Sequence, residues 1–219
     1  VSGLEGDDAS LHKQVEAGKK HYVGHELRGS TLGIIGLGAI GSMLAESAIQ
    51  LGMNVVGFDP EITVDAAWRL PSQVKKAVSI DDLVKRCDFI SLHVPLLPAT
   101  KDLINNDRVK LMKKGCILLN FARDGIVSEK AVLDGLNDGK LHAYVCDFPS
   151  NLLRHHPRFV ALPHLGASTE EAEENCAIMV ADQVRDYLEN GNILNSVNFP
   201  NISMPRESEI GRASCRERV

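Results

Sequence analysis

Arg123 and His164 are the side chains whose chemistry and position best suit catalysis. Each comes shortly after an apolar run, in the segments Asn-Phe-Ala-Arg-Asp-Gly (120–125) and Pro-His-Leu-Gly-Ala (163–167). A guanidinium group offers a planar pair of donors to a carboxylate and a nearby carbonyl oxygen. An imidazole exchanges a proton near neutral pH. In isolation each has a plainer alternative, since Arg123 could form a surface ion pair and His164 could cap a strand or a helix.

A glycine-rich segment provides a second signal. Gly36, Gly38 and Gly41 form the pattern G-x-G-x-x-G after one apolar run, and a second apolar run ends at Asp59. The glycine spacing alone is weak evidence, because a glycine turn can simply join two packed elements. The apolar run before it, the helical pattern after it and the acidic residue that follows are together typical of a dinucleotide-binding βαβ unit.

This pattern predicts a task for each of its residues. The first glycine permits the tight turn, the second lets the backbone approach a pyrophosphate, and the third lets helix and strand pack closely. The N–H groups near Ala39 and Ile40 would face the phosphates together with the helix dipole. Asp59 would accept hydrogen bonds from ribose hydroxyls and repel a 2′-phosphate, which favours NAD over NADP. With Arg123 and His164 beside a nicotinamide, hydride transfer to a 2-oxo acid is expected.

Short apolar runs alternate with amphipathic stretches through the middle of the chain, which predicts βαβ units and a parallel sheet. The runs are continuous and rich in Ile, Leu and Val, as expected for strands buried on both faces. Strands are predicted at 31–35, 54–58, 88–93, 116–121, 143–147 and 159–162, and helices at 39–51, 80–86, 107–113 and 129–136. Ser79 and Ser128 predict helix starts, and Gly115 predicts a helix stop. The fold class is therefore α/β, a Rossmann-type doubly wound parallel sheet with remnants of a second, substrate-binding domain.

A longer helix is predicted over residues 169–190. The segment 168–171 resembles a capping box at its start, and Gly191 suits its end. Six side chains recur at helical spacing and predict packing in a core or an interface. They are Cys176, Met179, Val180, Val184, Tyr187 and Leu188.

The composition excludes several classes of protein. The 219 residues carry a formal net charge of −5 and are 44% hydrophobic, as in an ordinary globular chain of one domain and part of another. The mild acidity argues against nucleic acid and an anionic membrane as partners, and no apolar run approaches the roughly 18 residues of a membrane span. The five cysteines include no C-x-x-C pair, so no metal site is expected. Without a signal peptide, they indicate buried thiols in a reducing cytoplasm.

Seven segments together resemble the D-isomer-specific 2-hydroxyacid dehydrogenase family, and most closely its branch that acts on 3-phosphoglycerate in serine synthesis. The resemblance covers about residues 18–200. The segments are Gly36-Leu37-Gly38-Ala39-Ile40-Gly41, Asp59-Pro60, His93-Val94-Pro95, Asn120-Phe121-Ala122-Arg123, Cys146-Asp147-Phe148-Pro149, Pro163-His164-Leu165-Gly166-Ala167-Ser168-Thr169 and Ser196-Val197-Asn198-Phe199-Pro200.

The resemblance implies that Arg123 binds and polarises the substrate and that His164 is the general acid and base. It also implies NAD as the cofactor, a small 2-hydroxy acid as the substrate and a homodimer formed largely through the cofactor domain. Motif and resemblance together predict a set of cofactor-binding residues. They are Gly36, Gly38, Ala39, Ile40, Gly41, Asp59, His93, Val94, Pro95, Phe121, Ala122, Arg123, Asp147, His164, Gly166 and Ala167.

The activity that the resemblance favours is NAD-dependent oxidation of 3-phospho-D-glycerate to 3-phosphohydroxypyruvate by hydride transfer. Two alternatives stay open. One is another D-2-hydroxyacid dehydrogenase, such as a glyoxylate or hydroxypyruvate reductase. The other is a non-catalytic NAD-binding sensor or scaffold.

One position departs from the family pattern. The family has a glutamate a few residues after the strand that ends at Asp147, and this glutamate pairs with the catalytic histidine and raises its pKa. Here that place aligns best with Asn151, and no Asp or Glu occurs over residues 148–169. An amide can orient an imidazole by a hydrogen bond but cannot stabilise imidazolium by charge. Asn151 is therefore a third catalytic candidate, expected to leave the pKa of His164 lower than in a relative with glutamate.

The predicted organisation has five parts. Residues 1–27 end a substrate domain and include a hinge helix, 28–168 form the NAD-binding domain, 169–200 return to the substrate domain, and 201–209 are a linker. The last ten residues, Ile-Gly-Arg-Ala-Ser-Cys-Arg-Glu-Arg-Val, are basic and aperiodic and look like the translation of a sequencing adapter. The chain is accordingly expected to be a fragment with an artefactual end.

Overall fold

Seven parallel strands form one sheet in the part of the chain that the computed structural model describes, residues 6–166 and 168–203. The strands are β1 (Thr31–Ile35), β2 (Asn54–Phe58), β3 (Lys75–Lys76), β4 (Phe89–Leu92), β5 (Cys116–Asn120), β6 (Leu141–Cys146) and β7 (Phe159–Ala161). Their order across the sheet is β3-β2-β1-β4-β5-β6-β7. The chain therefore winds in one direction from β1 to β3 and in the other from β4 to β7, which confirms the doubly wound α/β fold.

Helices connect these strands. They are α1 (Asp8–Gly18), α2 (Ala39–Gln50), α3 (Val64–Arg69), α4 (Ile80–Arg86), α5 (Asn106–Leu111), α6 (Glu129–Asn137) and α7 (Glu170–Asn190), with a 3₁₀ turn at Lys19–Tyr22. The chain divides into two compact units, Val1–Pro163, which holds the sheet, and His164–Val219, which holds α7.

Strands β1, β2 and β4 are buried on both faces, as predicted, whereas burial alternates along β5 and β6, so that only one of their faces is fully buried. The buried side chains form two hydrophobic clusters. A smaller one joins β1 and β2 to Ala45 and Ala48 of α2. A larger one joins β4, β5 and β6 to helices α4, α5 and α6, with Leu83, Val109 and Val132 among its buried members. A parallel sheet that is covered on both faces needs apolar side chains on both, and for this reason its strands are continuous apolar runs in the sequence.

The last residues of six strands form one row across the sheet. The paired positions are Phe58, Ile35, Leu92, Asn120, Cys146 and Ala161, in the order β2-β1-β4-β5-β6-β7. We call this side the carboxyl end of the sheet. The opposite side, where Thr31 begins β1 and Asp88 comes directly before β4, is the amino end. The register therefore brings the segments that follow six strands to one side of the molecule.

Several predicted boundaries were wrong by one or two residues. Asp88, His93, Phe121 and Asp147 were predicted as strand residues and lie just outside their strands. The predicted helix stop at Gly115 was also wrong: α5 ends at Leu111, Met112 is its C-cap and is buried, and Gly115 takes φ +81° in the following turn. Helix α3 and strand β3 were not predicted, since each is short and lacks a continuous apolar pattern. A hinge helix was expected within residues 1–27 without stated bounds, and α1 lies in that range. The predicted tail 210–219 lies outside the described residues.

The unit His164–Val219 contains α7, whose ends match the prediction closely. Thr169 caps the helix by accepting a hydrogen bond from the Ala172 N–H, and Gly191 ends it in the left-handed conformation at φ +75°. The apolar stripe does not form a core, because no described residue of α7 is buried and Leu188 is 75% exposed. Its packing in an interface stays a prediction. None of the described helices combines the length and hydropathy that crossing a lipid bilayer requires.

Candidate active site at the carboxyl end of the sheet

The residues that follow the paired strand ends form the floor of the candidate site. They are Asp59 after β2, Gly36 after β1, His93 after β4, Phe121 after β5 and Asp147 after β6. Five of the predicted cofactor-binding residues thus lie along one row, although 111 positions separate the first from the last. Ligands of open α/β sheets bind in this region, beyond the carboxyl ends of the strands and at the point where the winding reverses.

Gly36 is held at that reversal point by contacts on both sides. Its N–H donates to the carbonyl of Phe58 at 2.9 Å, and its φ is +93°, where a side chain is strained. A Cβ at this position would lie 2.4 Å from the carbonyl oxygen of His93. The turn after β1 therefore packs directly against the end of β4, and only glycine fits there.

Gly41 and Gly38 differ in what surrounds them. A Cβ on Gly41 would lie 2.0 Å from the carbonyl oxygen of Gly36, so glycine is required for the first turn of α2 to pack on the glycine turn. A Cβ on Gly38 would meet no atom of the protein within 4 Å. Gly38 is the N-cap of α2, and it is exposed together with Ala39 and Ile40. Backbone N–H groups at an exposed helix start suit a phosphate.

Asp59 is tied to the glycine turn. Its Oδ2 accepts a hydrogen bond from the Leu37 N–H at 2.8 Å, and its Oδ1 accepts one from the Glu61 N–H at 3.0 Å. Within the described residues, no Lys or Arg forms an ion pair with it. A carboxylate has about four acceptor positions, so capacity is left for ribose hydroxyls.

The backbone of His93 packs against the glycine turn, and its ring meets Ser91. Its Nε2 lies 2.9 Å from the hydroxyl of buried Ser91, and its backbone N–H donates to Ile35. Burial lowers the pKa of His93, so the imidazole carries no charge at neutral pH. The neighbouring Val94 packs partly against the larger core, and Pro95 is exposed.

Arg123 lies on a turn built by the last residue of β5. The buried Asn120 accepts a hydrogen bond from the Ala122 N–H through Oδ1 at 3.2 Å and donates to the Arg123 carbonyl through Nδ2 at 3.0 Å. The Arg123 Nη1 donates to the Ala122 carbonyl at 2.7 Å. Among the described residues no carboxylate pairs with Arg123, so the alternative of a surface ion pair receives no support. Phe121, at 40% exposure, stands beside it.

Asp147 and Asn151 follow β6. Asp147 is buried at the start of the loop, whereas Asn151 is exposed. The segment around Asn151 is a turn in which the Arg154 N–H donates to Ser150, and buried Leu153 anchors it to the core. The predicted pairing of Asn151 with His164 stays a prediction.

His164 begins the second unit and is exposed, as is Gly166. Ala167 lies outside the described residues. Arg123 and Asn151 belong to the first unit, so the structure brings together the predicted residues from Gly36 to Asp147 and leaves the position of His164 relative to them as a prediction.

Asn120 is a residue whose role the sequence did not reveal, although it stood in the polar segment that follows β5. The available signal was an amide at the last position of a buried strand, where an apolar residue would otherwise continue the core. Buried polar groups are nearly always hydrogen-bonded, so such a residue indicates a built turn.

The buried cysteines offer no reactive thiolate. Burial raises the pKa of Cys87 and of Cys116 to about 12, so both thiols stay protonated at neutral pH. Within the described residues, no group of three or more His, Cys, Asp or Glu is arranged to hold a metal ion.

Comparisons with known proteins agree with this architecture. Residues 5–166 match the family model described as D-isomer specific 2-hydroxyacid dehydrogenase, NAD binding domain.

Curated relatives named D-3-phosphoglycerate dehydrogenase are similar over most of this chain. The chain is 41% identical over 200 residues to that of Methanocaldococcus jannaschii, which covers 89% of this chain and 38% of the relative. It is 40% identical to that of Haemophilus influenzae, which covers 90% of this chain and 50% of the relative. The chain thus spans half or less of the length of these relatives.

Solved structures show the same fold. A glyoxylate reductase from Paecilomyes thermophila matches with a TM-score of 0.71 and 29% identity, over 85% of this chain and 58% of that one. The NAD⁺-bound 3-phosphoglycerate dehydrogenase of Entamoeba histolytica matches with a TM-score of 0.68 and 31% identity, over 81% and 57%.

Proposed function

The chain belongs to the D-isomer specific 2-hydroxyacid dehydrogenases and contains their NAD-binding domain, and from this premise we propose that the protein oxidises 3-phospho-D-glycerate to 3-phosphohydroxypyruvate with NAD. The observation that carries the proposal is the row of strand ends that places the glycine turn, Asp59 and the Arg123 turn at one end of the sheet. The names of the relatives support the choice of substrate.

The residues at the reversal point fit NAD. The space beside Gly38 that a Cβ would enter contains no protein atom, while Gly36 and Gly41 are required by the chain's own packing. The exposed start of α2 would receive the pyrophosphate, and Asp59 would receive the adenosine ribose hydroxyls. When bound, NAD supplies the acceptor for a hydride from C2 of the substrate.

The side chains of this protein would supply binding and proton transfer. Arg123 would hold the substrate carboxylate and polarise the oxygen on C2 through its paired donors. His164 would accept the proton of the C2 hydroxyl as the C2–H bond breaks, so that the 2-hydroxy acid becomes a 2-oxo acid. In reduction it would return that proton.

Asn151 would orient His164 by a hydrogen bond and, being neutral, would not stabilise imidazolium by charge. We expect Asn151→Glu to move the acidic limb of the pH dependence of kcat/KM for oxidation to higher pH, because a carboxylate stabilises imidazolium and delays its deprotonation. Steady-state rates between pH 5 and 10 measure this shift. An unchanged profile would show that Asn151 does not face His164.

The substrate is tested by kinetics of the intact polypeptide that contains this chain. Oxidation with NAD is measured on 3-phospho-D-glycerate and on D-glycerate, and reduction with NADH on glyoxylate and hydroxypyruvate. The proposal expects kcat/KM for the phosphorylated acid to exceed that for D-glycerate by at least about 100-fold, since a phosphate bound by charged groups contributes several hydrogen bonds. Higher kcat/KM on glyoxylate or hydroxypyruvate would favour the reductase alternative.

Two variants separate an enzyme from a non-catalytic NAD-binding protein. Arg123→Ala and His164→Ala should each reduce kcat/KM by about 10²–10⁴-fold, the usual contribution of such groups. NADH affinity, followed by energy transfer from Trp68, should fall far less than kcat/KM, because the other predicted cofactor contacts remain. NADH binding without turnover in the intact polypeptide would favour a sensor or scaffold.

We also propose a cytoplasmic homodimer formed largely through the cofactor domain, as the resemblance implies. Sedimentation equilibrium of the intact polypeptide measures the oligomeric state. A monomer at micromolar concentration would contradict the dimer and leave the proposed chemistry untouched.

A further inference from the structure

We infer that Asn120 is a positioning residue for Arg123, acting through the turn that follows β5. The inference rests on the proposed function in one respect, namely that Arg123 binds the substrate carboxylate. Its structural basis is the set of hydrogen bonds that the Asn120 side chain makes.

Asn120 holds the Arg123 turn at two backbone atoms. Its Oδ1 accepts from the Ala122 N–H at 3.2 Å, and its Nδ2 donates to the Arg123 carbonyl at 3.0 Å. An N–H can only donate and a carbonyl can only accept, so these partners also determine which way the amide points. A leucine of similar size would fill the same space and make neither bond.

The guanidinium group is linked to this clamp through Ala122. The Ala122 N–H is bound by Asn120, and the Ala122 carbonyl accepts from the Arg123 Nη1 at 2.7 Å. The N–H of Ala122 is thus bonded to the buried amide of Asn120, and its carbonyl is bonded to the guanidinium of Arg123. This bond uses one of the five guanidinium N–H donors, which leaves donors for a carboxylate.

The Asn120 side chain is itself held in place by residues of the neighbouring strands. Asn120 is 1% exposed, and its Nδ2 lies 3.5 Å from the hydroxyl of Tyr144 on the adjacent β6. The ring of Tyr144 stacks on Phe159 of β7 with centroids 5.7 Å apart. Three adjacent strands therefore support the amide, and its position is set by the sheet rather than by the exposed loop.

The adjacent turn is anchored in the same way. The Cys146 thiol, paired in register with Asn120, lies 3.3 Å from the Phe148 carbonyl and donates to it. The ends of β5 and β6 thus each carry a buried polar side chain that bonds the backbone just beyond the strand. This repetition favours a role in shaping the floor of the site over an incidental buried amide.

The positioning role is tested on the 219-residue chain with two measurements. Hydrogen exchange of the Ala122 amide, followed by NMR, reports the clamp. The dissociation constant of oxalate from the NADH-saturated chain reports carboxylate binding by Arg123. The variants are Asn120→Leu, Arg123→Ala and the double variant, with Leu118→Val as a control that weakens the same buried strand without removing a bond to the turn.

We expect Asn120→Leu to speed exchange of the Ala122 amide by at least tenfold relative to Leu118→Val. We also expect it to weaken oxalate binding to the NADH-saturated chain by at least tenfold relative to Leu118→Val. In the Arg123→Ala background, Asn120→Leu should cause no further loss of oxalate binding, because its effect passes through Arg123. A purely structural role would give additive losses.

Asn120→Asp keeps the test decisive if Asn120→Leu does not fold. The aspartate retains the acceptor for the Ala122 N–H, and when protonated it can still donate to the Arg123 carbonyl. Oxalate affinity of the variant is compared with that of the unmodified chain at each pH. The two affinities should be similar at low pH, and the variant should bind more weakly once the new carboxyl ionises.

Each failure has a distinct meaning. Unchanged Ala122 exchange in Asn120→Leu, or additive losses in the double variant, would overturn the positioning role. Oxalate binding that is absent or insensitive to Arg123→Ala would overturn the proposed role of Arg123 instead, and the exchange rates alone would then decide whether Asn120 holds the turn.

Discussion

The two ends of the sheet treat the same residue type in opposite ways. At the amino end, Asp88 accepts a hydrogen bond from the Thr31 N–H and forms an ion pair with Lys113 at 2.8 Å. At the carboxyl end, Asp59 accepts from two backbone N–H groups, and among the described residues no cation pairs with it. One carboxylate is neutralised by its own chain, whereas the other keeps its charge toward solvent.

The comparison teaches how a binding group differs from a structural one. A charged side chain that forms an ion pair within its own chain, as Asp88 does with Lys113, links two parts of the fold. A charge that is oriented by backbone donors alone is held in place but still available to a ligand. Arg123, oriented by a carbonyl and unpaired with any described carboxylate, follows the pattern of Asp59.

The three glycines of the turn show the same division. Gly36 and Gly41 are required by protein atoms within 2.4 Å of a would-be Cβ, while Gly38 faces open space. The packing of the chain explains Gly36 and Gly41, whereas it does not require a glycine at position 38.

The largest predicted change in free energy is the loss of stability caused by substitution of Gly41. Gly41→Ala places a methyl group 2.0 Å from the Gly36 carbonyl oxygen, so α2 must shift away from the turn. We expect the free energy of unfolding to fall by about 3 kcal/mol, as for severe overpacking. Urea unfolding followed by circular dichroism measures this. Stability within about 0.5 kcal/mol of the unmodified chain would show that the helix start adapts readily.

Asp59 comes next, because its carboxylate bonds the glycine turn and is proposed to bind the ligand as well. Asp59→Asn should lower NAD affinity about tenfold or more, since hydrogen bonds to a charged acceptor contribute roughly 1.5–3 kcal/mol. The preference for NAD over NADP should narrow at the same time, because the repulsion of a 2′-phosphate is lost. Calorimetric titration with both dinucleotides measures the two constants. Asp88→Asn is the matched control at the other end of the sheet.

Gly38→Ala should separate binding from stability. A methyl group there would enter the space proposed for the pyrophosphate, so we expect NAD affinity to fall about tenfold, or roughly 1.4 kcal/mol. Stability should fall by less than about 1 kcal/mol, the usual difference between glycine and alanine at an N-cap. A stability loss as large as that of Gly41→Ala would contradict the division between the glycines.

The smallest effect is expected at Asp88. Burial alone would raise its pKa, but the hydrogen bonds from Lys113 and Thr31 outweigh burial and lower it below the ordinary value. A lowered pKa means that the stabilisation is present above about pH 4 and is lost as the pH falls through the folded-state pKa. Because the pair is largely exposed, screening limits its contribution to about 0.5–1 kcal/mol.

Asp88→Asn tests this at two pH values. The variant should be less stable than the unmodified chain at pH 7, and the difference should shrink at pH 3, as measured by urea unfolding. NAD affinity should stay unchanged. A change in NAD affinity would show that the two ends of the sheet are coupled.

Much of the fold could be predicted from local pattern. The apolar runs located β1 and β2 with correct ends, and G-x-G-x-x-G with Asp59 identified the βαβ unit, because tight turns and buried parallel strands have strong local requirements. Strand β3, with two exposed lysines, carries no such pattern, and its place beside β2 comes from pairing alone. The apolar stripe on α7 shows the reverse case, in which a clear pattern was followed by no buried core. Helical spacing predicts an apolar face but not which residues cover it.

The sequence by itself determined the family and the α/β fold, and it proposed most residues of the candidate site, since each is carried by residue type and short spacing. Only the tertiary structure decided that Gly38 faces open space, that Asp59 also bonds the glycine turn, and that Asn120 holds the Arg123 turn. The bond between Asp59 and the Leu37 N–H and the contact of Asn120 with Tyr144 depend on strand register, which brings residues 22 or more positions apart within hydrogen-bond distance, and no local pattern encodes such a distance.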